Sequence, residues 1–192
     1  MCCYLSRNRE PVEKNMPEIE IRPASATDIK TLIAIDHASE SDYVWQVDIQ
    51  RKVGEVDVLL REVRLPRTIS VHYPRPTHSF VDDWNKSPTL VSVLSNQLVG
   101  YLRMTDQLVP GTVWITDLVV GKNFRRKGIA TALIIAAHQW ALQRGNRRAV
   151  MEMPSKNNAS IKLAQKLGYE FCGYNDQYYV SRDVALFFGR LI

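Results

Sequence analysis

A strand, a basic loop and a long apolar helix follow one another without interruption between Val113 and Arg144, and this unit constrains the fold more than any other stretch. Val113 to Val120 is rich in β-branched residues, the composition of a strand packed in a sheet. From Gly128 to Arg144 the pattern changes period. Ile129, Ala132, Leu133, Ala136, Ala137, Trp140 and Ala141 recur at i, i+3 and i+4, and Gly145 stands where a helix C-cap belongs. A loop that joins a strand to a helix N-terminus presents unpaired amide groups and the positive end of the helix dipole, which together make an anion site.

The charge distribution fits that site. The chain of 192 residues carries a net charge of +5. Lys122, Arg125, Arg126, Lys127, Arg144, Arg147 and Arg148 fall between Gly121 and Arg148 with no acidic residue among them. Such a patch attracts a phosphorylated cofactor, a nucleic acid or an acidic membrane. The loop lacks the Gly-Lys-Ser/Thr ending of a Walker loop and the Gly-x-Gly-x-x-Gly of a dinucleotide fold.

The remaining elements surround this unit. Glu18 to Arg22 reads as a first strand that ends at Pro23, and Ser25 to Asp28 offers cap chemistry for a short helix through Ile35. Tyr43 to Gln50 and Val56 to Leu65 alternate around Gly54, and Arg67 to Tyr73 extends the second arm. This predicts a long β-hairpin, broken at Tyr73-Pro-Arg-Pro-Thr77. Thr89 to Leu94 and Leu98 to Met104 form a second hairpin about Asn96-Gln97, and Pro110-Gly111 marks a further turn. Arg147 to Met153 is a strand, Asn157 or Asn158 caps a helix that stops at Gly168, and strands near Tyr169 to Tyr174 and Tyr178 to Phe188 finish the chain. The fold class is α/β (α+β): a mixed, mostly antiparallel sheet flanked by helices. Residues 1–16 read as a disordered lead-in and 17–192 as one domain. No apolar run approaches bilayer length, and the start has no secretory pattern, so a cytoplasmic protein without membrane attachment is expected. Cys2, Cys3 and Cys172 make neither a disulfide framework nor a metal site, and no metal is expected.

Arg125-x-x-Gly128-x-Ala130 resembles the Arg/Gln-x-x-Gly-x-Gly/Ala element of the GNAT N-acetyltransferases. Downstream, Asn157-Asn-Ala-Ser-Ile-Lys-Leu-Ala-Gln-Lys-Leu-Gly-Tyr169 resembles the second element of that family, a helix that begins after Asn and ends in Leu-Gly-Phe/Tyr. The resemblance spans about residues 17 to 192 and is specific from about residue 98. It implies a single GNAT domain whose fourth and fifth family strands, here Val113 to Val120 and Arg147 to Met153, splay apart to admit acetyl-CoA.

The resemblance also assigns residues. Leu118, Val119 and Val120 match the strand that pairs with pantetheine; Arg125, Arg126, Lys127, Gly128, Ile129, Ala130 and Thr131 match the pyrophosphate cradle; Asn157 matches an asparagine on the cofactor arm. A protonated amine must lose a proton before it attacks the thioester. Glu152 and Asp117 are the candidate catalytic carboxylates, with an ion pair to a nearby Arg as the alternative for each. A backbone amide near Leu118 is placed for the oxyanion. The family's usual general-acid tyrosine is replaced by Ala164, and Tyr169, Tyr174, Tyr178 and Tyr179 are the candidate substitutes. The carboxyl half is most similar to the streptothricin acetyltransferase group, through Val99 to Arg103, Ile115 to Val120, Asn123 to Arg126 and Val184 to Phe188. That likeness implies a primary amine on a small cationic molecule as acceptor. In it the Tyr43 to Tyr73 hairpin would replace two helices, and Tyr43, Trp45, Asp82 and Asp83 would contact the acceptor. A catalytically silent acetyl-CoA sensor, a protein N-terminal or lysine acetyltransferase and a nucleic-acid binder are the alternatives. No nucleic acid is expected as partner, and a homodimer is compatible with the sequence.

Overall fold

The computed structural model describes residues 18–75 and 84–192. Among the described residues, nine strands and three α-helices follow in chain order: β1 (Ile19–Pro23), α1 (Ile29–Ala34), β2 (Ser39–Lys52), β3 (Glu55–Val71), β4 (Thr89–Leu94), β5 (Gln97–Val109), β6 (Thr112–Val120), α2 (Ile129–Gln143), β7 (Arg148–Pro154), α3 (Asn158–Lys166), β8 (Glu170–Asn175) and β9 (Ala185–Leu191). Seven strands form one sheet in the order β1-β4-β5-β6-β7-β9-β8, and β2 and β3 form a separate two-stranded ribbon. Every neighbouring pair is antiparallel except β6 and β7. The architecture is the mixed, mostly antiparallel α/β sheet expected.

Hydrophobic burial fixes the layers. One apolar cluster gathers Ile129, Leu133, Ala137 and Ala141 of α2, Ile161 and Ala164 of α3, and sheet residues such as Leu102 and Ile115. A smaller one joins Ile29 and Leu32 of α1 to Val91, Tyr101 and Val119. Along β6 the residues divide by the two-residue period of a strand. Val119 belongs to the smaller cluster, whereas Leu118 and Val120 pack against the larger. Gly100 is needed where β5 and β6 approach, because a Cβ there would stand 2.6 Å from the Val119 carbonyl oxygen.

β3 runs continuously from Glu55 to Val71 through Pro66, in line with the extended second arm, and a register shift falls between Ser41 and Tyr43. Pro66 falls in the stretch of β3 that the register shift leaves without paired residues, so its missing N–H removes no ladder bond. The last strand starts at Ala185 rather than Tyr178. Residues 178–184 instead form a turn, in which Tyr178 N–H donates to the Asp183 carbonyl and Lys156 pairs with the Asp183 carboxylate.

The β6–β7 junction shapes the site. These strands pair only from Thr112 with Arg148 to Ile115 with Met151. Past Ile115 and Met151 they part, as expected for the splayed pair.

Candidate active site

A cleft of about 1170 Å³ opens at this divergence. One end is the turn between β6 and α2. Gly128 is the N-cap of α2 at φ 84°, and no described side chain caps the helix. The first-turn amides of a helix have no acceptor within it, so here they face the cleft. A Cβ at Gly128 would meet nothing within 4 Å, which leaves the approach open. Arg126 also has a positive φ, 61°, so the turn carries two left-handed residues that present successive amides on its concave side.

The sequence-selected residues fall around this cleft unevenly. Leu118, Val119, Val120, Arg125, Arg126, Gly128, Ile129, Ala130, Thr131, Asn157, Asp117, Glu152 and Tyr43 line it. Lys127 and Trp45 do not. The Lys127 ammonium lies 5.4 Å from the Phe124 ring centroid, and Trp45 is a buried bracket between β2 and α3. The Trp45 indole donates to Asn158 Oδ1 at 2.9 Å, and its backbone N–H donates to the Ser155 carbonyl at 2.9 Å. Arg125 lines the turn, but its guanidinium is committed to backbone carbonyls: Nε to Val120 at 3.0 Å and Nη2 to Ala38 at 2.7 Å. It ties the strap ahead of β2 to the loop. Asn157 caps α3, accepting from Ser160 N–H at 3.2 Å. Asp82 and Asp83 lie outside the described residues.

At the other end of the cleft the two carboxylates are buried side by side, Asp117 on β6 and Glu152 on β7, with side chains 1% and 2% exposed. Arg75, from the loop after β3, bridges them. Its Nη1 donates to Asp117 at 3.2 Å and to the Thr116 carbonyl at 2.8 Å, and its Nη2 donates to Glu152. Burial opposes the guanidinium charge, but the two carboxylates outweigh it and raise its pKa. Three tyrosines complete the set. Tyr73 donates to Asp117, Tyr178 donates to Glu152 at 3.1 Å, and the Tyr179 ring lies 5.8 Å from the Arg75 guanidinium. Burial raises the pKa of all three phenols, and the neighbouring carboxylate charge adds to it, so each remains a neutral donor. The Tyr73 hydroxyl continues through Tyr101 at 3.4 Å to His37 at 3.0 Å. Burial lowers the His37 pKa and favours the neutral ring.

The arginine was not visible in the sequence as a site residue. Tyr73-Pro-Arg-Pro-Thr77 reads only as a chain break, and nothing in its pattern shows that Arg75 returns to β6 and β7. Of the candidate substitutes for the missing tyrosine, Tyr169 is bonded to His138 instead, and Tyr178 is committed to Glu152. Ala164 is a fully buried core residue. The Tyr179 hydroxyl is buried in the cleft wall, near enough to Glu152 to feel its charge, yet no group among the described residues meets it with hydrogen-bond geometry.

Comparison with known proteins accords with this geometry. Over 166 residues the chain is 25% identical to the streptothricin acetyltransferase of Streptomyces lavendulae, covering 83% of this chain and 86% of that one. The crystal structure of nourseothricin acetyltransferase shares the fold, with a TM-score of 0.76 at 21% identity over 90% of this chain and 98% of that one. So does a candidate streptothricin acetyltransferase from Bacillus anthracis, solved with acetyl coenzyme A, with a TM-score of 0.72 at 20% identity over 91% and 100%. No helix of the described residues is long and apolar enough to cross a membrane. The model of the acetyltransferase (GNAT) family matches residues 58–169, more than half of the chain and all of the β6–α2–β7–α3 unit that builds the cleft, and the protein is an acetyltransferase that belongs to that family.

Proposed function

We propose that the chain binds acetyl-CoA along the β6–β7 gap and acetylates a primary amine of a small cationic molecule. The observation that carries this reading is the cleft itself. It joins an uncapped helix N-terminus, suited to a diphosphate, to a pair of buried carboxylates suited to a cation. The residues present fit the cofactor: Gly128 leaves the α2 amides uncovered, Arg126 and Ala130 flank them without closing the turn, and the length of β6 at Leu118 that β7 leaves unpaired offers backbone groups to an extended arm. When bound, acetyl-CoA supplies an activated acyl group as a thioester.

The chain's own residues do the rest. An alkylamine with a pKa near about 10.4 arrives as an ammonium and must give up a proton before it can attack. Among the carboxylates that line the cleft, Asp117 and Glu152 form the buried pair, and they hold the ammonium and take that proton. Tyr73 and Tyr178 fix the orientation of the two carboxylates by donating to them. Tyr43 lines the same cleft, which supports its reading as an acceptor contact. The similarity to proteins named for streptothricin supports a small-molecule acceptor over a peptide.

The test is release of free thiol from acetyl-CoA across streptothricin, aminoglycosides, polyamines, amino acids and a peptide. Glu152→Gln and Asp117→Asn are expected to lower kcat/KM by about 10²-fold or more, the size of a lost acid–base group. If neither change slows the reaction even tenfold, roughly 1.4 kcal/mol, both carboxylate roles are wrong.

A further inference from the structure

We infer that Arg75 is a built-in occupant of the acceptor's cation site, and that the amine substrate takes its place between Asp117 and Glu152. The inference rests on the acetyl-transfer reading above and names the device by which the site is kept closed until an acceptor arrives.

The first observation is the completeness of the receptor. The Arg75 guanidinium has a carboxylate on either side, a backbone carbonyl at 2.8 Å and an aromatic face at 5.8 Å. These are the groups that hold any organic cation. The second is a hydroxyl beside the acidic pair. The Tyr179 hydroxyl is buried, with the residue only 6% exposed, and it lines the same cleft without a hydrogen-bond partner among the described residues. A buried unsatisfied hydroxyl is costly in a native structure and signals a ligand that uses it. Arg75 satisfies both carboxylates and leaves this oxygen idle. An ammonium, with its tetrahedral donors, can be shared among two carboxylates and a phenol oxygen, which a planar guanidinium fixed by its own backbone does not manage. The third is relative exposure. Arg75 keeps 26% of its side chain open, while the carboxylates beneath it keep 1% and 2%. The cap is the part of the cluster that solvent and ligand reach.

The exchange sets the incoming ammonium against the two carboxylates, so that its proton passes from nitrogen to a carboxylate oxygen and leaves a neutral amine in the cleft.

The experiment uses the full chain with coenzyme A bound. Arg75→Ala opens the receptor, and Arg75→Gln keeps most of the side-chain volume if the smaller residue impairs folding. Coenzyme A titration of each variant reports on the fold and on the cofactor site separately. Methylguanidinium is the probe. It is expected to bind the variants in the millimolar range and the wild type at least about tenfold more weakly, and to compete with streptothricin in thiol release from the variants. The KM for streptothricin is expected to fall by about threefold or more in the variants. The proposal is overturned if methylguanidinium fails to bind variants that still bind coenzyme A. It is equally overturned if methylguanidinium restores lost turnover, which would make Arg75 a group that must stay in place. If wild type and variants turn over no amine while the variants bind methylguanidinium, the receptor stands and the acetyl-transfer reading is what has failed.

Discussion

At the scale of single residues, the chemistry depends on which charges are buried together. Asp117 and Glu152 were legible as candidates through the family resemblance, Asp117 on the strand just before Leu118 and Glu152 five residues before Asn157, but their partners were not. A residue on β6 meets Arg75 only through the path of the loop after β3, and local sequence carries no record of that path. Arg125 shows the converse. Its place in the basic loop suggested a phosphate contact, whereas its guanidinium holds the Val120 and Ala38 carbonyls. A charge count cannot distinguish a side chain that waits for a ligand from one used to hold backbone. The Arg22–Asp28 pair offers a test away from the site. Asp28 accepts from both Arg22 nitrogens at 2.7 and 2.9 Å and from Ser25 N–H at 2.7 Å, and its pKa is driven well down, first by the Arg22 hydrogen bond. A lowered folded-state pKa contributes stability above the unfolded value of about 3.9, and that contribution is lost as pH falls through the folded value. Asp28→Asn should therefore cost stability at pH 7 through loss of the charge that Arg22 meets. The difference from wild type should shrink below about pH 4. Urea unfolding at pH 7 and pH 3 measures both, and a difference that does not shrink with acid would show that the pair is not ionically linked to folding.

At the scale of elements, the regular pieces were readable and the ribbon was only half so. Period 3.6 placed α2 and Gly145, and alternation placed β4, β5 and β6. The alternation also announced a long hairpin over residues 43–73, but not its function as a wall. Arg125 holds the segment before β2 to the β6–α2 loop. Farther along, Trp45 bonds Ser155 and Asn158, and Lys162 reaches Glu62 at 2.6 Å. A two-stranded ribbon is marginal alone, so these ties to α3 keep it in place across the cleft. Trp45 looked like an acceptor contact because an exposed aromatic near acids suits a cation; its burial was settled by α3, 113 residues away in sequence. Trp45→Ala removes a buried aromatic and the indole hydrogen bond together, and should cost about 3–5 kcal/mol. Limited proteolysis is expected to cut first within β2–β3 in this variant. Cleavage that begins elsewhere, with an unchanged melting temperature, would show that the ribbon is held by other contacts.

At the scale of the whole molecule, the protein is a sheet parted at one seam, and the opening is lined both by the uncapped N-terminus of α2 and by the buried Asp117–Arg75–Glu152 cluster. The seam follows from a short parallel register: four residue pairs join β6 to β7, and both strands then continue without each other. Its existence was inferred from a family resemblance, because the strand composition alone reads the same whether or not the pair is continuous. A coenzyme A molecule that spans this opening ties β6, α2 and β7 together in the folded chain only, so its binding should raise the melting temperature as its concentration rises. The most direct test is calorimetric titration of coenzyme A into the wild type and Gly128→Val. A side chain at φ 84° costs about 1–2 kcal/mol and adds bulk to the turn that lines the cleft. The wild type is predicted to bind one equivalent saturably and the variant to bind at least about tenfold more weakly, a loss of roughly 1.4 kcal/mol, while remaining folded. A wild type that takes up no coenzyme A, or a variant that binds it equally well, would contradict a diphosphate site at this turn.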